Sequence, residues 1–217
     1  MKSFLLFLVS ESILIPFITG LVRFRRIGNS YRPFFILIVV AVIIEAINGY
    51  MIKVQHHSNA IPVNIYALIE CLLIIWQFHT WGWLRSRKQV FYGLLLFSIA
   101  GWMVENLVYG HITEFPPFFR FLYSFLIVLL SVNKINYMIT HDNRTLLRSP
   151  DFLICIGLII FFIYKIIYEW AYQTSLFGQS DITSIIIMSF GYINALTNII
   201  FAIALLLIPA PQKFTLR

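Results

Sequence analysis

Apolar residues run in long stretches along this chain and are separated by short polar segments. A helix that crosses a bilayer needs about 20 mostly apolar residues, because each residue advances the helix by about 1.5 Å. The pattern therefore predicts an all-α fold, a polytopic membrane helix bundle forming a single domain over 1–217. Its seven transmembrane helices are predicted at about 3–22, 33–52, 62–80, 90–110, 117–139, 152–172 and 184–208.

The composition supports a membrane protein over a soluble one. Apolar residues make up 60% of the chain and charged residues 12%, whereas about a quarter of a soluble domain is charged. A bilayer requires none of this apolar surface to be hidden, but it requires every backbone polar group to be paired internally, which helices achieve.

Both cysteines, Cys71 and Cys155, fall inside apolar stretches. We expect them to be packing residues that are too far apart to form a disulfide.

Basic residues in the short loops predict the orientation, because Lys and Arg concentrate on the cytoplasmic side. One side of the predicted bundle collects Arg23, Arg25, Arg26, Arg32, Arg85, Arg87, Lys88, Arg144, Arg148, Lys213 and Arg217. The other side has only Lys2, Lys53 and Arg120. This asymmetry places the N-terminus outside and the C-terminus in the cytoplasm. The basic residues that give the chain its net charge of +7 then lie mostly on the cytoplasmic side, where they face anionic lipid headgroups.

Nucleic-acid binding is not expected, since the loops form no continuous basic patch.

Acidic residues inside the predicted spans are the main indication of a functional site. A charge at bilayer depth costs at least about 2.5 kcal/mol, so such residues normally face the bundle interior. Four of them lie about 5–8 residues below the outer helix ends, roughly 8–12 Å at helical rise. We therefore expect Glu11, Glu45, Glu70 and Glu105 to converge on one outward-facing cavity. Glu169 lies closer to its helix end.

Helical spacing adds other polar side chains to this predicted cavity. Tyr66 precedes Glu70 by one turn, Asn48 follows Glu45, and Tyr109 follows Glu105, so each pair shares a helix face. The predicted ligand-binding residues are Glu70, Glu45, Glu11, Glu105, Tyr66, Asn48, Tyr109 and Lys165, with Arg120 as a second available cation. Lys165 and Glu169 are four residues apart, and we expect an ion pair within their helix.

Two other interpretations of these residues stay open. Intramembrane Glu, Asn and Tyr also hold helices together, with about 0.6 kcal/mol per contact. A metal site on the outer face is the other interpretation, since imidazole and carboxylate suit zinc; its candidate ligands are His56, His57 and His111, together with Glu114.

The sequence indicates no cofactor. It contains no Gly-x-Ser-x-Gly segment, and we do not expect an enzyme.

Two segments carry a resemblance to a known family. Asn64-Ile-Tyr-Ala-Leu-Ile-Glu70 and the helix-seven segment 193–207, which begins Ile-Asn-Ala-Leu-Thr-Asn, resemble a family of small seven-helix membrane proteins common in Bacteroidota. The likeness extends to Glu45, a Glu late in helix two. The resemblance implies a seven-helix architecture and a bacterial inner-membrane location, and it implies no activity.

The sequence thus favours a receptor-like or sensory membrane protein that binds a small polar or cationic ligand from outside. The tail after Pro211 is too short for a signalling domain, so a partner protein would carry the output. A small-molecule or proton-coupled transporter is the first alternative, because carriers also place binding groups near the middle of the membrane. A structural subunit of a membrane complex, whose Glu residues contact partner helices, is the second.

Overall fold

The computed structural model describes residues 11–82, 88–141, 146–175 and 181–209. Residues 3–10 of the predicted first helix lie outside this part of the chain. Six of the basic residues that predict the orientation also lie outside it, namely Lys2, Arg85, Arg87, Arg144, Lys213 and Arg217.

The described residues form seven α-helices and no strand: α1 Leu14–Val22, α2 Arg32–Tyr50, α3 Ala60–Thr80, α4 Lys88–Met103, α5 Phe118–His141, α6 Pro150–Ser175 and α7 Asp181–Leu207. Short 3-10 turns occupy Glu11–Ile13, Phe24–Arg26 and Leu146–Arg148. Six helices are long and apolar enough to cross a membrane, namely α2 to α7, with α4 counted together with the helical turns that continue it to Tyr109. Glu11–Val22 is a shorter apolar segment. The prediction of an all-α, multi-pass membrane bundle is confirmed to that extent.

The helices differ from the predicted ranges mainly at their ends. α6 begins at Pro150 and α7 at Asp181, both before the predicted starts. Asp151 and Asp181 lie in the first turns of these helices, where a negative charge complements the helix dipole. The predicted helix over 90–110 is a single helical span over Lys88–Tyr109, and its last turns, Val104–Tyr109, are π-helical. α2 likewise ends in a π-helical segment, Met51–Gln55.

Six helices form a closed ring. Helices α1, α2, α3, α5, α6 and α7 each pack on the next, and α7 returns to α1. The most extensive contact joins α6 to α7, and Gly157 permits it. A Cβ atom at Gly157 would lie 2.5 Å from the Phe201 ring, and small residues at such crossings let membrane helices approach closely. α4 packs on α3 and α5 outside the ring.

A dense apolar core fills the end of the ring nearer the α2 and α6 N-termini. Cys71 and Cys155 are both buried there and are free thiols, as the sequence predicted. At the rim of this core the Tyr31 hydroxyl donates a 2.6 Å hydrogen bond to Asp151 Oδ1, and Lys134 Nζ lies 3.6 Å from Asp151 Oδ2. Burial, followed by the Asp151 charge, raises the pKa of Tyr31, so its phenol stays protonated at physiological pH.

Candidate ligand-binding site

The ring of helices encloses a cavity of about 530 Å³. This volume is typical of small-molecule sites, which are mostly apolar with a few converging polar groups. The apolar part of the lining includes Phe34, Ile38, Ile74, Leu158 and Phe201. The polar part includes Glu45, Asn48, Tyr66, Glu70, Arg120, Tyr123, Lys165, Tyr168, Glu169, Asn194, Thr197 and Asn198.

Glu70, on α3, is the centre of the first polar cluster. Its Oε2 accepts hydrogen bonds from Lys165 Nζ at 2.8 Å and from the Tyr123 hydroxyl at 2.6 Å. Its Oε1 accepts a bond from the Tyr66 hydroxyl at 3.2 Å. Lys165 also donates to the Tyr123 oxygen. Because only 4% of the Glu70 surface is exposed, the carboxylate depends on these donors for its charge to be tolerated.

Three aromatic rings surround the Lys165 ammonium group. Its Nζ lies 5.0–5.5 Å from the ring centroids of Tyr123, Phe161 and Phe162, within the range of a cation–π interaction. The cation is therefore stabilised by a carboxylate on α3 and by rings on α5 and α6. This cluster joins three helices around the cavity.

Arg120, on α5, is the centre of the second polar cluster. It donates from one terminal nitrogen to Glu169 Oε1 at 3.2 Å and from the other to Asn64 Oδ1 at 2.8 Å. The guanidinium group lies 5.3 Å from the Phe115 ring centroid. Arg120 is 7% exposed and Glu169 is 3% exposed, so this is a second buried ion pair. It joins α5 to α6, and Asn64 extends it to α3.

Asn64 also connects the second cluster to the loop between α4 and α5. Its side-chain nitrogen donates to the backbone oxygens of Ile112 at 2.9 Å and Glu114 at 2.7 Å. The next loop residue, Phe115, lines the cavity, and its backbone oxygen accepts a 3.4 Å bond from Gln173 of α6. A single hydrogen-bonded path thus runs from the cavity carboxylate Glu169 to a surface loop.

A third polar group lies between α7 and the 3-10 turn Glu11–Ile13 that precedes α1. Asn198 Nδ2 donates to Ser12 Oγ at 2.9 Å and to Asn194 Oδ1 at 3.4 Å. Asn194, Thr197 and Asn198 all line the cavity. The polar patch that the sequence places on helix seven therefore faces the same space as the two ion pairs.

Five of the predicted ligand-binding residues come together in this cavity. Its lining contains Glu45, Asn48, Tyr66, Glu70 and Lys165, from α2, α3 and α6. Three of these contact one another through the Glu70 carboxylate. The structure thus unites side chains that lie more than a hundred residues apart in the sequence.

The other three predicted residues lie elsewhere. The Glu105 carboxylate accepts 2.6 Å hydrogen bonds from the backbone nitrogens of Phe118 and Phe119, so it caps the N-terminus of α5. Free N–H groups at a helix start favour such an acceptor. Tyr109 is 87% exposed, and Glu11 lies in the 3-10 turn before α1, outside the cavity lining.

The predicted ion pair within α6 is wrong. Lys165 pairs with Glu70 of α3, and Glu169 pairs with Arg120 of α5. Pairs four residues apart on one helix contribute only a few tenths of a kcal/mol. A buried charge instead needs a partner and further hydrogen bonds, and the neighbouring helices supply both.

Sequence reasoning missed the roles of Tyr123 and Asn64. Tyr123 lies three residues after Arg120 on the same helix face, and that spacing is a signal that could have identified it. Asn64 stands one and a half turns before Glu70, in the segment that carries the family resemblance. Its contact with Arg120 depends on the packing of α3 against α5, which the sequence alone does not reveal.

The metal site considered on the outer face is not formed. Within the described part of the chain, no group of three or more His, Cys, Asp or Glu side chains is placed to hold a metal ion. His56, His57 and His111 are exposed, and nothing in the packing draws them together.

The fold and the site together define a multi-pass membrane helix bundle with an internal polar cavity. A comparison of this chain with known protein families, curated proteins and solved structures finds no match. The resemblance to the seven-helix family of Bacteroidota therefore stays a prediction.

Proposed function

We propose that this protein is a receptor-like membrane protein whose cavity binds a small polar or cationic ligand. The observation that carries the proposal is the position of two buried ion pairs on the wall of one 530 Å³ cavity. If these ion pairs served only to hold helices together, we would expect them to be closely packed between the helices, because protein interiors leave few voids larger than a water molecule. A void of this size, with a few polar groups converging on it, is instead suited to a ligand.

The loop between α4 and α5 offers a route for the signal. Asn64 bonds both Arg120 and the backbone of this loop, so a ligand that displaces Arg120 would loosen the loop as well. A response of this kind requires a ligand that binds the two arrangements with different affinity. We propose that a partner protein reads the change.

Transport is the second candidate function, since buried charges near a central cavity also occur in carriers. Discontinuous helices, however, build many carrier sites. Among the described helices that line this cavity, only α2 has a π-helical segment, and that segment lies at its end. For this reason transport is placed second. A structural subunit is the third candidate. That role would use the outer surface of the bundle and leaves the cavity without a purpose.

We further propose that the chain lies in a bacterial inner membrane with the α2–α3 and α4–α5 loops outside. The excess of basic residues at the opposite end supports this orientation. Glu114 and Leu147 are exposed at opposite ends of the bundle.

Labelling of single cysteines tests the orientation. In a chain with Cys71→Ala and Cys155→Ala, the variant Glu114→Cys is expected to react with an impermeant maleimide in intact spheroplasts. The variant Leu147→Cys is expected to react only after permeabilisation. The opposite labelling pattern would reverse the topology.

Filling the cavity tests the binding function. Ala41 of α2 lines the cavity, and Ala46 of the same helix is exposed. A thermal-shift screen of small polar and cationic compounds in detergent is expected to find a stabilising ligand. Ala41→Trp should then weaken its binding at least tenfold, whereas the control variant Ala46→Trp should leave it unchanged. Equal effects of the two variants would mean that the ligand binds elsewhere.

A further inference from the structure

Among the described residues that line the cavity, Lys165 carries the only primary amine. Its side chain is 13% exposed, whereas the side chain of its partner Glu70 is 5% exposed. A lysine amine that has lost its proton in apolar surroundings is a nucleophile, and it forms Schiff bases with carbonyl compounds. Lys165 is therefore a candidate for covalent attachment of a ligand as well as one half of an ion pair.

The groups around Lys165 supply the proton transfers that such a reaction needs. Glu70 Oε2 lies 2.8 Å from Lys165 Nζ, so it can take the ammonium proton directly. The Tyr123 hydroxyl contacts both groups, and a hydroxyl both donates and accepts hydrogen bonds. It can therefore bind the oxygen of a carbonyl group placed beside Lys165. Both partners stand on other helices, α3 and α5.

The charges around Lys165 restrict what can bind beside it. A buried carboxylate such as Glu70 must keep a positive partner, because an unpaired buried charge is strongly destabilising. An anionic ligand would bring a second negative charge close to Glu70, and a cationic ligand would compete with Lys165 for it. A protonated Schiff base carries one positive charge on the same nitrogen, so the pair with Glu70 survives the reaction.

The wall around Lys165 suits an apolar ligand body. The rings of Phe161 and Phe162 lie 5.5 and 5.4 Å from the ammonium nitrogen and also line the cavity. Leu158, seven residues earlier on α6 or roughly 10 Å at helical rise, continues the apolar lining together with Ile74 of α3. Apolar surroundings limit the access of water, which hydrolyses Schiff bases.

We infer that the cavity takes a ligand with an aldehyde group and an apolar body, and that Lys165 binds it covalently as a protonated Schiff base with Glu70 as counter-ion. This inference rests on the proposed function and specifies the class of its ligand.

The reaction is a condensation that needs no oxidant or reductant. Lys165 gives one proton to Glu70, and its nitrogen lone pair forms a bond to the aldehyde carbon while the C=O π electrons move to the oxygen. That oxygen takes one proton from the nitrogen and one from Glu70, and it leaves as water while the C=N bond forms. The nitrogen keeps one proton and the positive charge, and Glu70 is again a carboxylate.

Lys134 provides an internal control for this chemistry. It is also buried, at 7% exposure, and its Nζ lies 3.6 Å from Asp151 Oδ2 and 5.6 and 5.9 Å from the ring centroids of Trp81 and Tyr137. It does not belong to the described lining of the cavity. A reaction that depends on the cavity should therefore distinguish Lys165 from Lys134.

Trapping of the Schiff base tests the inference on the full chain in detergent. The probes are propanal and the larger 4-isopropylbenzaldehyde, with 4-isopropylbenzyl alcohol as the analogue that cannot react. Borohydride reduces each Schiff base to a stable amine, and peptide mass mapping locates it. We expect labelling of Lys165 by at least one aldehyde to exceed that of Lys134 by about tenfold or more, because only Lys165 lies on the cavity.

Variants show whether the adduct forms inside the cavity. Lys165→Arg keeps a positive charge opposite Glu70 but has no amine for a Schiff base, so the adduct should be lost. Lys88→Arg removes an exposed amine and is its control. Ala41→Trp leaves Lys165 in place and fills part of the cavity, so it should lower labelling at Lys165 about tenfold. Ala46→Trp should leave that labelling unchanged.

The outcomes separate the inference from the proposed function. Labelling of Lys165 that is absent, equal to that of Lys134, or insensitive to Ala41→Trp overturns the inference. If the alcohol stabilises the protein in a manner sensitive to Ala41→Trp while neither aldehyde labels Lys165, the cavity is a non-covalent ligand site. The proposed function then stands and the inference fails. If no compound of the broader screen binds either, both fail.

Discussion

Replacing Lys165 with methionine is expected to lower the free energy of unfolding by about 3–5 kcal/mol, because it leaves the Glu70 carboxylate buried without its counter-ion. Methionine keeps most of the length of the side chain, so the lost charge dominates the effect. The measurement is the unfolding of the detergent-solubilised protein by heat or by a denaturing detergent. Removing an exposed cation by Lys88→Met, at the start of α4, should change stability by no more than about 0.5 kcal/mol.

A double variant distinguishes the ion pair from simple packing. Lys165→Met combined with Glu70→Gln removes both charges. The amide oxygen still accepts from one of the hydroxyls of Tyr66 and Tyr123, and the amide nitrogen can donate to the other hydroxyl oxygen. The double variant should recover most of the stability lost by Lys165→Met alone, since replacing both partners of a buried pair is often close to neutral. A Lys165→Met protein as stable as the native chain, or a double variant less stable than the single one, would contradict the pairing in the structure.

Exchanging the two charges of α6, by Lys165→Glu together with Glu169→Lys, is expected to prevent stable folding. The exchange would place a second carboxylate beside Glu70 and a second cation beside Arg120, and like charges in a low-dielectric interior repel strongly. If the two residues instead formed a pair within their own helix, the exchange would preserve it and cost little. The yield of monodisperse protein and its unfolding temperature therefore separate the two arrangements.

The matched control exchanges charges across helices. Arg120→Glu together with Glu169→Arg keeps opposite charges facing each other between α5 and α6, but it loses the Arg120 bond to Asn64. We expect partial stability, clearly above that of the exchange within α6. An exchange within α6 that folds better than the exchange across helices would overturn the assignment of both pairs.

The sequence by itself determined the class of fold. The length and apolar character of a segment are local properties, and a bilayer accepts few solutions other than helices that pair their own backbone. For most helix ends, the position predicted from the sequence agrees with the structure to within a few residues. The deviations have local causes as well, such as the acidic first turns at Asp151 and Asp181.

The sequence also identified some of the residues that the structure brings together. A charge within an apolar span is expensive in lipid and therefore faces the bundle interior. For this reason Glu70 and Lys165 could be assigned to a shared interior without knowledge of the packing. Tyr66 followed from its spacing to Glu70, and the two side chains are hydrogen-bonded.

Only the tertiary structure decided which charges meet. Position along a helix sets the depth of a residue, but its neighbours depend on the rotation of that helix and on the helix beside it. Glu105 shares the predicted depth of Glu70, yet it caps α5 at Phe118 and does not line the cavity. Lys165 and Glu169 lie one turn apart, yet each binds a different helix. A sequence specifies depth through local hydropathy, whereas the partners of a buried charge depend on contacts between segments far apart in the chain.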